Sequence, residues 1–303
     1  MSAIDVQPGA HDELVAEAAD AGTGTGLLAV PVRKPRRIGV IIALVWVVFV
    51  LFCAVTADFL PIHDYESNIT PVSEPPFHSW PEFLGTDQLG RSVVSRLVYG
   101  SRVSLAAGLI SATIGISIGV ALGIFAAANR RADEVIGTIT DAALAFPGIV
   151  LLLALSAAMR PGLVPLIIGL TIFSIPPFTR LARANAKVVM NREFVQAARL
   201  LGAKRLRILV REVLPNVLRP VLAYAPLVVA ALIVAEATVS FLGLGVPAPT
   251  PTWGGMIAQG QPQLSNESYQ VLVPATVLFL TVFSINVLGR WLRSKTADAD
   301  AKI

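Results

Sequence analysis

Residues 193–216 read EFVQAARLLGAKRLRILVREVLPN, a short, strongly basic, amphipathic insert between two long apolar segments. Asn191 is placed to cap a helix beginning near Arg192, with Glu193 in its favourable first turn. Ala197, Ala198, Leu200 and Leu201 give that helix a small apolar surface, and Gly202 breaks it. A second basic helix, from about Lys204 to Val213, is expected to end at Pro215. A basic loop can simply rest on anionic lipid. That accounts for the arginines but less well for paired alanines and a glycine, which suit close docking against protein.

The flanking segments need lipid as solvent. The 303-residue chain is 54% hydrophobic and only 15% charged, whereas soluble domains carry about 25% charged residues. Mean hydropathy is +0.70. The net charge of +4 is modest, and a pI near 9.5 does not by itself argue for a nucleic-acid partner. The single cysteine, Cys53, lies in an apolar run and excludes an intrachain disulfide framework.

A helix crossing the bilayer needs about 20 mostly apolar residues. Six stretches qualify: Ile38 to Ala57, one within Val103 to Asn129, about Ala142 to Met159, about Gly162 to Thr179, about Pro220 to Leu242, and about Val271 to Gly289. The first is too long for a signal-peptide core and follows a 37-residue tail, so it reads as a retained helix. With both termini in the cytoplasm and alternating spans, 20 of the 24 Lys and Arg residues fall inside. Only Arg91, Arg96, Arg102 and Arg160 lie outside, as the positive-inside bias requires.

This divides the chain into a polar, disordered cytoplasmic tail (1–32), a first transmembrane segment (33–60) and an external segment (61–102). A five-helix core (103–295) follows, with its cytoplasmic loop at 183–219, and then a short C-terminal tail (296–303). Within the external segment Leu89, Val93, Val94, Leu97 and Val98 share one helical face, which predicts an interfacial helix leading into the second span. Residues 243–270 read as an ordered but irregular Pro- and Gly-rich loop. In the second span Ser111, Gly115, Gly119 and Gly123 recur every four residues and form a face that admits another helix closely.

Much chemistry is missing. Gly115 to Gly119 matches G-x-S-x-G, but it lies within an apolar helix and no span holds a histidine, so helix packing is the better reading. There is no phosphate-binding G-x-x-x-x-G-K-[ST] loop and no Cys/His metal-ligand spacing. No metal site or cofactor is expected in this chain. Glu236 is the one charge inside a span. A charge there costs roughly 2.5–3.5 kcal/mol on insertion scales, so it is expected to face protein or water, as a structural hydrogen-bonding group or as a pathway residue.

Gln196-Ala197-Ala198, then Gly202, then Leu214-Pro215 resembles the cytoplasmic signature of ABC importer permeases, with Gln196 in place of the usual Glu and Glu212 where a His is common. Gly85-Thr86-Asp87-Gln88-Leu89-Gly90-Arg91 resembles the G-T-D-x-x-G-R-D segment of the dipeptide/oligopeptide/nickel permeases, with Ser92 for the final Asp. Ala145-Phe146-Pro147, the run Glu236 to Gly245, and Pro251-Thr252-Trp253-Gly254 are similar to further motifs of that family. The similarity covers about residues 33–295 and points to the second, "C"-type, permease subunit. It implies an all-α, six-helix type I importer bundle in a bacterial inner membrane, with a coupling loop around 193–216. It also implies a homologous second permease, two ATPase subunits or one fused ATPase carrying ATP and Mg, and an external binding protein. Glu193, Gln196, Ala197, Ala198, Gly202, Ala203, Leu214 and Pro215 would form the ATPase-coupling surface, and no nucleic acid is involved.

Peptide is the expected cargo, with nickel or another small solute as the alternative on the same architecture. A secondary transporter should show broken helix pairs and ionisable coupling residues near mid-membrane, of which the spans offer little. A membrane enzyme lacks its base and metal ligands, and a non-transporting membrane scaffold for a soluble complex is the remaining alternative.

Overall fold

A computed structural model describes residues 37–300 except 69–71, 79 and 81, with the backbone alone for 296–300. The tail expected to be disordered, 1–32, lies outside the described residues, as do 301–303. The described residues are helical: α1 (Arg37–Thr56), α2 (Val93–Ala128), α3 (Arg130–Ala145), α4 (Gly148–Ala158), α5 (Leu163–Met190), α6 (Glu193–Leu200), α7 (Arg205–Ile208), α8 (Leu214–Phe241), α9 (Trp253–Gly260) and α10 (Tyr269–Asp300). Five segments are long and apolar enough to cross a membrane: Arg37–Phe59, Val93–Ala128, Leu163–Met190, Arg205–Phe241 and Tyr269–Lys295. The pair α3–α4 makes a sixth only as one span bent by 88°.

That bend corrects the third expected span. Pro147 drives Phe146 into extended backbone (φ −80°, ψ 137°), because the residue before proline is disfavoured in the helical region. Ala142 to Ala145 therefore close α3, and α4 has only 11 residues, about 16 Å at 1.5 Å per residue. The expected interfacial helix is also absent as a separate element. Leu89 sits in a loop and is exposed, whereas Val93 and Leu97 are buried near the start of α2. The Ser92 hydroxyl caps α2 by accepting the backbone N–H of Ser95 at 3.4 Å. Aspartate and serine both cap well, so the departure at this position preserves a helix start.

α2 runs through the middle of the bundle. A Cβ at Gly115 would collide with Ser174 Oγ of α5; at Gly119 it would lie 2.7 Å from Phe178 Cβ, and at Gly123 2.7 Å from Ala182 Cβ. Ser111 donates to the Ile167 carbonyl (3.1 Å), and Ser174 donates back to that of Ser111 (3.2 Å). The small residues thus let two helix backbones meet. Gly108 makes room for Ile233 of α8. α1 buries Val40, Ala43, Val50 and Ala54 along one stripe and ties to α10 through Trp46 Nε1 donating to Thr281 Oγ1 (3.1 Å). Its other apolar side chains point outward, Ile38, Ile41, Val45 and Phe49 among them, as suits lipid contact.

Candidate functional site

One end of the bundle carries the 191–213 segment. α5 ends at Met190 and α6 begins three residues later. The N-cap of α6 is Arg192, without a side-chain bond, and Asn191 instead closes α5. The expected Asn191 cap is therefore replaced by a different contact: Gln196 Nε2 donates to the Asn191 carbonyl at 3.2 Å. Val195 is fully buried and anchors α6 to the main core, and Ala198 and Ala203 pack partly against the same core. Glu193, Gln196 and Ala197 face outward.

Beyond α6 the chain reverses at Gly202, whose φ is +80° with open space around its Cα. Backbone N–H groups of Leu201, Gly202 and Ala203 donate to the carbonyls of Ala197, Arg199 and Ala198, a glycine-dependent helix stop. Conformation, not crowding by this chain, requires the glycine. The reversal leaves Leu200 and Leu201 as a protruding apolar pair, 89% and 88% exposed. The sequence marked them as apolar but gave no reason to rank them above the alanines.

The second short helix does not end at Pro215. α7 passes through a π-helical turn, Leu209–Val213, into α8, so residues 205–241 form one continuous helix. Pro215 occupies the first turn of α8. The Leu214 N–H reaches back to Leu209, and the wider turn relieves the ring's clash with a preceding carbonyl. Leu214 packs partly against the core. Nearby, Asp133 of α3 holds Arg183 (2.5 Å) and Lys187 (2.7 Å) of α5, and Gly137 leaves space for the Arg183 guanidinium. No sequence motif pointed to this cluster.

The opposite end is built around two buried polar groups. Glu236 of α8 is fully buried. Its Oε1 accepts from Ser240 at 2.7 Å, Oε2 makes no hydrogen bond, and the hydroxyls of Ser104 and Thr252 stand beside the carboxyl. Ser104 Oγ accepts the Trp253 N–H (3.3 Å), and the buried Trp253 indole donates to the Leu97 carbonyl (3.2 Å). A side chain at Gly254 would collide with the backbone of Ala237. Glu236 thus faces protein where α2, α8 and the Pro251–Gly254 stretch converge.

In the 85–91 loop Asp87 Oδ1 accepts the N–H groups of Leu89 and Arg91, both at 2.9 Å, and Oδ2 accepts Arg91 Nε at 2.7 Å. Arg91 and the buried Arg96 both donate to Gln259 Oε1 of α9, at 3.2 and 3.0 Å. Thr86 Oγ1 accepts the Glu74 N–H (2.9 Å), and the Tyr269 hydroxyl donates to the Thr86 carbonyl (2.8 Å). Gly85 and Gly90 have φ of +82° and +71°. The motif is a tightly wound hub that fastens this loop to α9 and α10. Gln259 and Tyr269, its partners from far along the chain, carried no sequence signal.

Among the described residues no group of His, Cys, Asp and Glu is arranged to hold a metal.

Comparison with known proteins agrees with this architecture. Residues 119–298 match the family described as binding-protein-dependent transport system inner membrane component. A putative peptide transport system permease protein of Brucella suis is 39% identical over 264 residues, 86% of each chain. The di/tripeptide transport system permease protein DppC of Pseudomonas aeruginosa is 36% identical over 84% of this chain and 86% of its own. A glutathione transport system permease protein of Pectobacterium atrosepticum is 36% identical over 82% and 83%. The inward-facing MetNI methionine ABC transporter shares the fold, with a TM-score of 0.56 at 20% identity over 66% of this chain and 95% of that one. A multi-pass helical chain, a basic two-helix loop fused to two of its spans, and this extent of identity together place the protein in the binding-protein-dependent transport system inner membrane component family, the membrane permease subunits of ABC importers.

Proposed function

We propose that this chain is one of two permease subunits of an ATP-driven importer that moves di- or oligopeptides into the cell. Both termini and the 191–213 loop face the cytoplasm, which puts 20 of the 24 Lys and Arg residues on the side that favours them. The chain pairs with a homologous permease, receives cargo from an external binding protein and docks on ATPase subunits that carry ATP and Mg.

The observation that carries this reading is the loop. Leu200 and Leu201 project from a helix whose own core contact, Val195, is sealed. Burying such a side chain gains roughly 1.5–3 kcal/mol, so the pair is a natural insertion point for a groove in an ATPase. α6 is joined to α5 by two residues and continues, past one turn, into the helix 205–241. At 1.5 Å per residue that helix is about 55 Å long and carries Glu236 near its far end. Movement of α6 by the ATPases would tilt α5 and α8 together and switch the pathway between outward- and inward-facing states.

Peptide is favoured over nickel by the relatives, which are named for peptides, dipeptides and glutathione. Uptake into proteoliposomes holding both permeases and the ATPases, supplied with the binding protein, tests it. Labelled dipeptide should accumulate only with ATP, and a nickel complex should not compete. Accumulation of nickel without peptide would replace the cargo while leaving the architecture standing.

A further inference from the structure

At the 191–213 end a cavity of about 590 Å³ opens between the last residues of α2 and α5 and the first residues after α6. Its charged lining residues are all cations: Lys187 from α5, Arg199 from α6 and Arg205 from α7. Lys187 pairs with Asp133, which also holds Arg183. The guanidiniums of Arg199 and Arg205 have no hydrogen-bond or ion-pair partner among the described residues, and both residues are exposed. The remaining wall is largely apolar, with Ala128, Met190 and Leu209.

Basic residues that serve only topology need not converge. Here three separate helices bring a cation each to one recess, and like charges gathered there repel one another. The recess also lies where α2 and α5 end, past the apolar part of both helices. Basic pockets between spans on the cytoplasmic side are suited to acidic headgroups, and arginine forks match phosphate oxygens in pairs.

We infer that this cavity is a binding site for a phosphate-bearing anion, held by Arg199 and Arg205 with Lys187 shared between the anion and Asp133. An anionic lipid headgroup and a free phosphate offer the same oxygens. The apolar wall gives a lipid's glycerol end somewhere to rest. Binding depends on these side chains alone and not on the transport reading.

Native mass spectrometry of the full-length chain in neutral detergent tests it, with phosphatidylglycerol, phosphatidylcholine and inorganic phosphate titrated separately. The Arg199→Gln/Arg205→Gln variant should lose phosphatidylglycerol binding on the order of tenfold or more. Arg199→Lys/Arg205→Lys should keep most of it. Arg207→Gln/Arg211→Gln removes the same charge from the same loop but outside the cavity, and should bind like wild type. Phosphatidylcholine should bind weakly to all four. Retention of inorganic phosphate without phosphatidylglycerol, lost in the same variant, would assign the site to a free anion. Equal losses in the cavity and control variants would overturn the site in favour of diffuse attraction. So would no binding of either anion together with loss of ATPase co-purification in the cavity variant, which would give the arginines to an acidic surface of the ATPase.

Discussion

Gln196 is where this chain departs from the Glu usual at that position of the coupling signature, and the structure gives the amide a use. It donates to the Asn191 carbonyl and so ties α6 to the end of α5. An ionised carboxylate has no proton to give. Gln196→Glu should therefore loosen α6 and lower ATP-dependent uptake several-fold at neutral pH, with membrane insertion unchanged. Uptake equal to or above wild type would contradict the role. Gly202 makes a second residue-scale case. Its left-handed backbone costs other L-residues roughly 1–2 kcal/mol, with Asn among the few that visit the region routinely. Gly202→Asn should keep more ATPase co-purification than Gly202→Ala, although asparagine is larger. The reverse order would mean that space at the docking face, and not φ, requires the glycine. Both residues stood out in the sequence. The partner of Gln196 did not, because Asn191 followed by a helix reads as an N-cap, and only the fold shows that it ends α5.

Helix contacts were legible where a repeated small residue marked them and illegible where a break had to be placed. The Ser111-Gly115-Gly119-Gly123 face lies against α5 with no room for a side chain. Gly119→Leu should separate α2 from α5 and destabilise the chain by several kcal/mol, the scale of severe overpacking in a close-packed interior. Ser117→Leu, on the exposed side of the same helix, should do little. Comparing the thermal melting of the two in detergent checks this, and equal shifts would contradict it. The straight span expected at 142–159 is instead part of a bent pair for a local reason: hydropathy averages across Pro147, whereas the backbone turns by 88° there. The helix expected at 89–98 failed because apolar periodicity continues through residues that Gly90 and the Asp87 side chain wind into a loop. At Pro215 the opposite occurred. A residue that usually stops a helix sits in one that continues, made possible by the π turn before it.

Across the whole molecule, five of the six spans followed from apolar length, and the family from motifs scattered over most of the chain. The polar connections between distant segments followed from neither. Arg91 and Arg96 meet Gln259 more than 160 residues on, and the Trp253 N–H meets the Ser104 hydroxyl of α2. Hydrogen bonds of this kind have no period and no spacing to read. They join the two loops at the end away from the 191–213 segment, so α8 connects that segment at one end to a fastened cap at the other. Glu236→Gln, which can still accept from the Ser240 hydroxyl, should preserve folding and most uptake. Glu236→Leu leaves the Ser240 hydroxyl without its acceptor, at about 1–3 kcal/mol for a buried polar group left unpaired, and should lower both. Uptake with wild-type kinetics in Glu236→Leu would remove the residue from the account.

The proposed coupling is that ATP hydrolysis drives this permease through the loop at 193–203. Its most direct test is the Leu200→Asp/Leu201→Asp variant, assembled with its partner permease, ATPases and binding protein in proteoliposomes, with bound ATPase and ATP-dependent peptide accumulation measured on the same preparation. The expected result is an intact, correctly inserted permease pair that no longer retains its ATPase complement and accumulates no peptide above the ATP-free control. Full ATPase retention together with wild-type accumulation would contradict it.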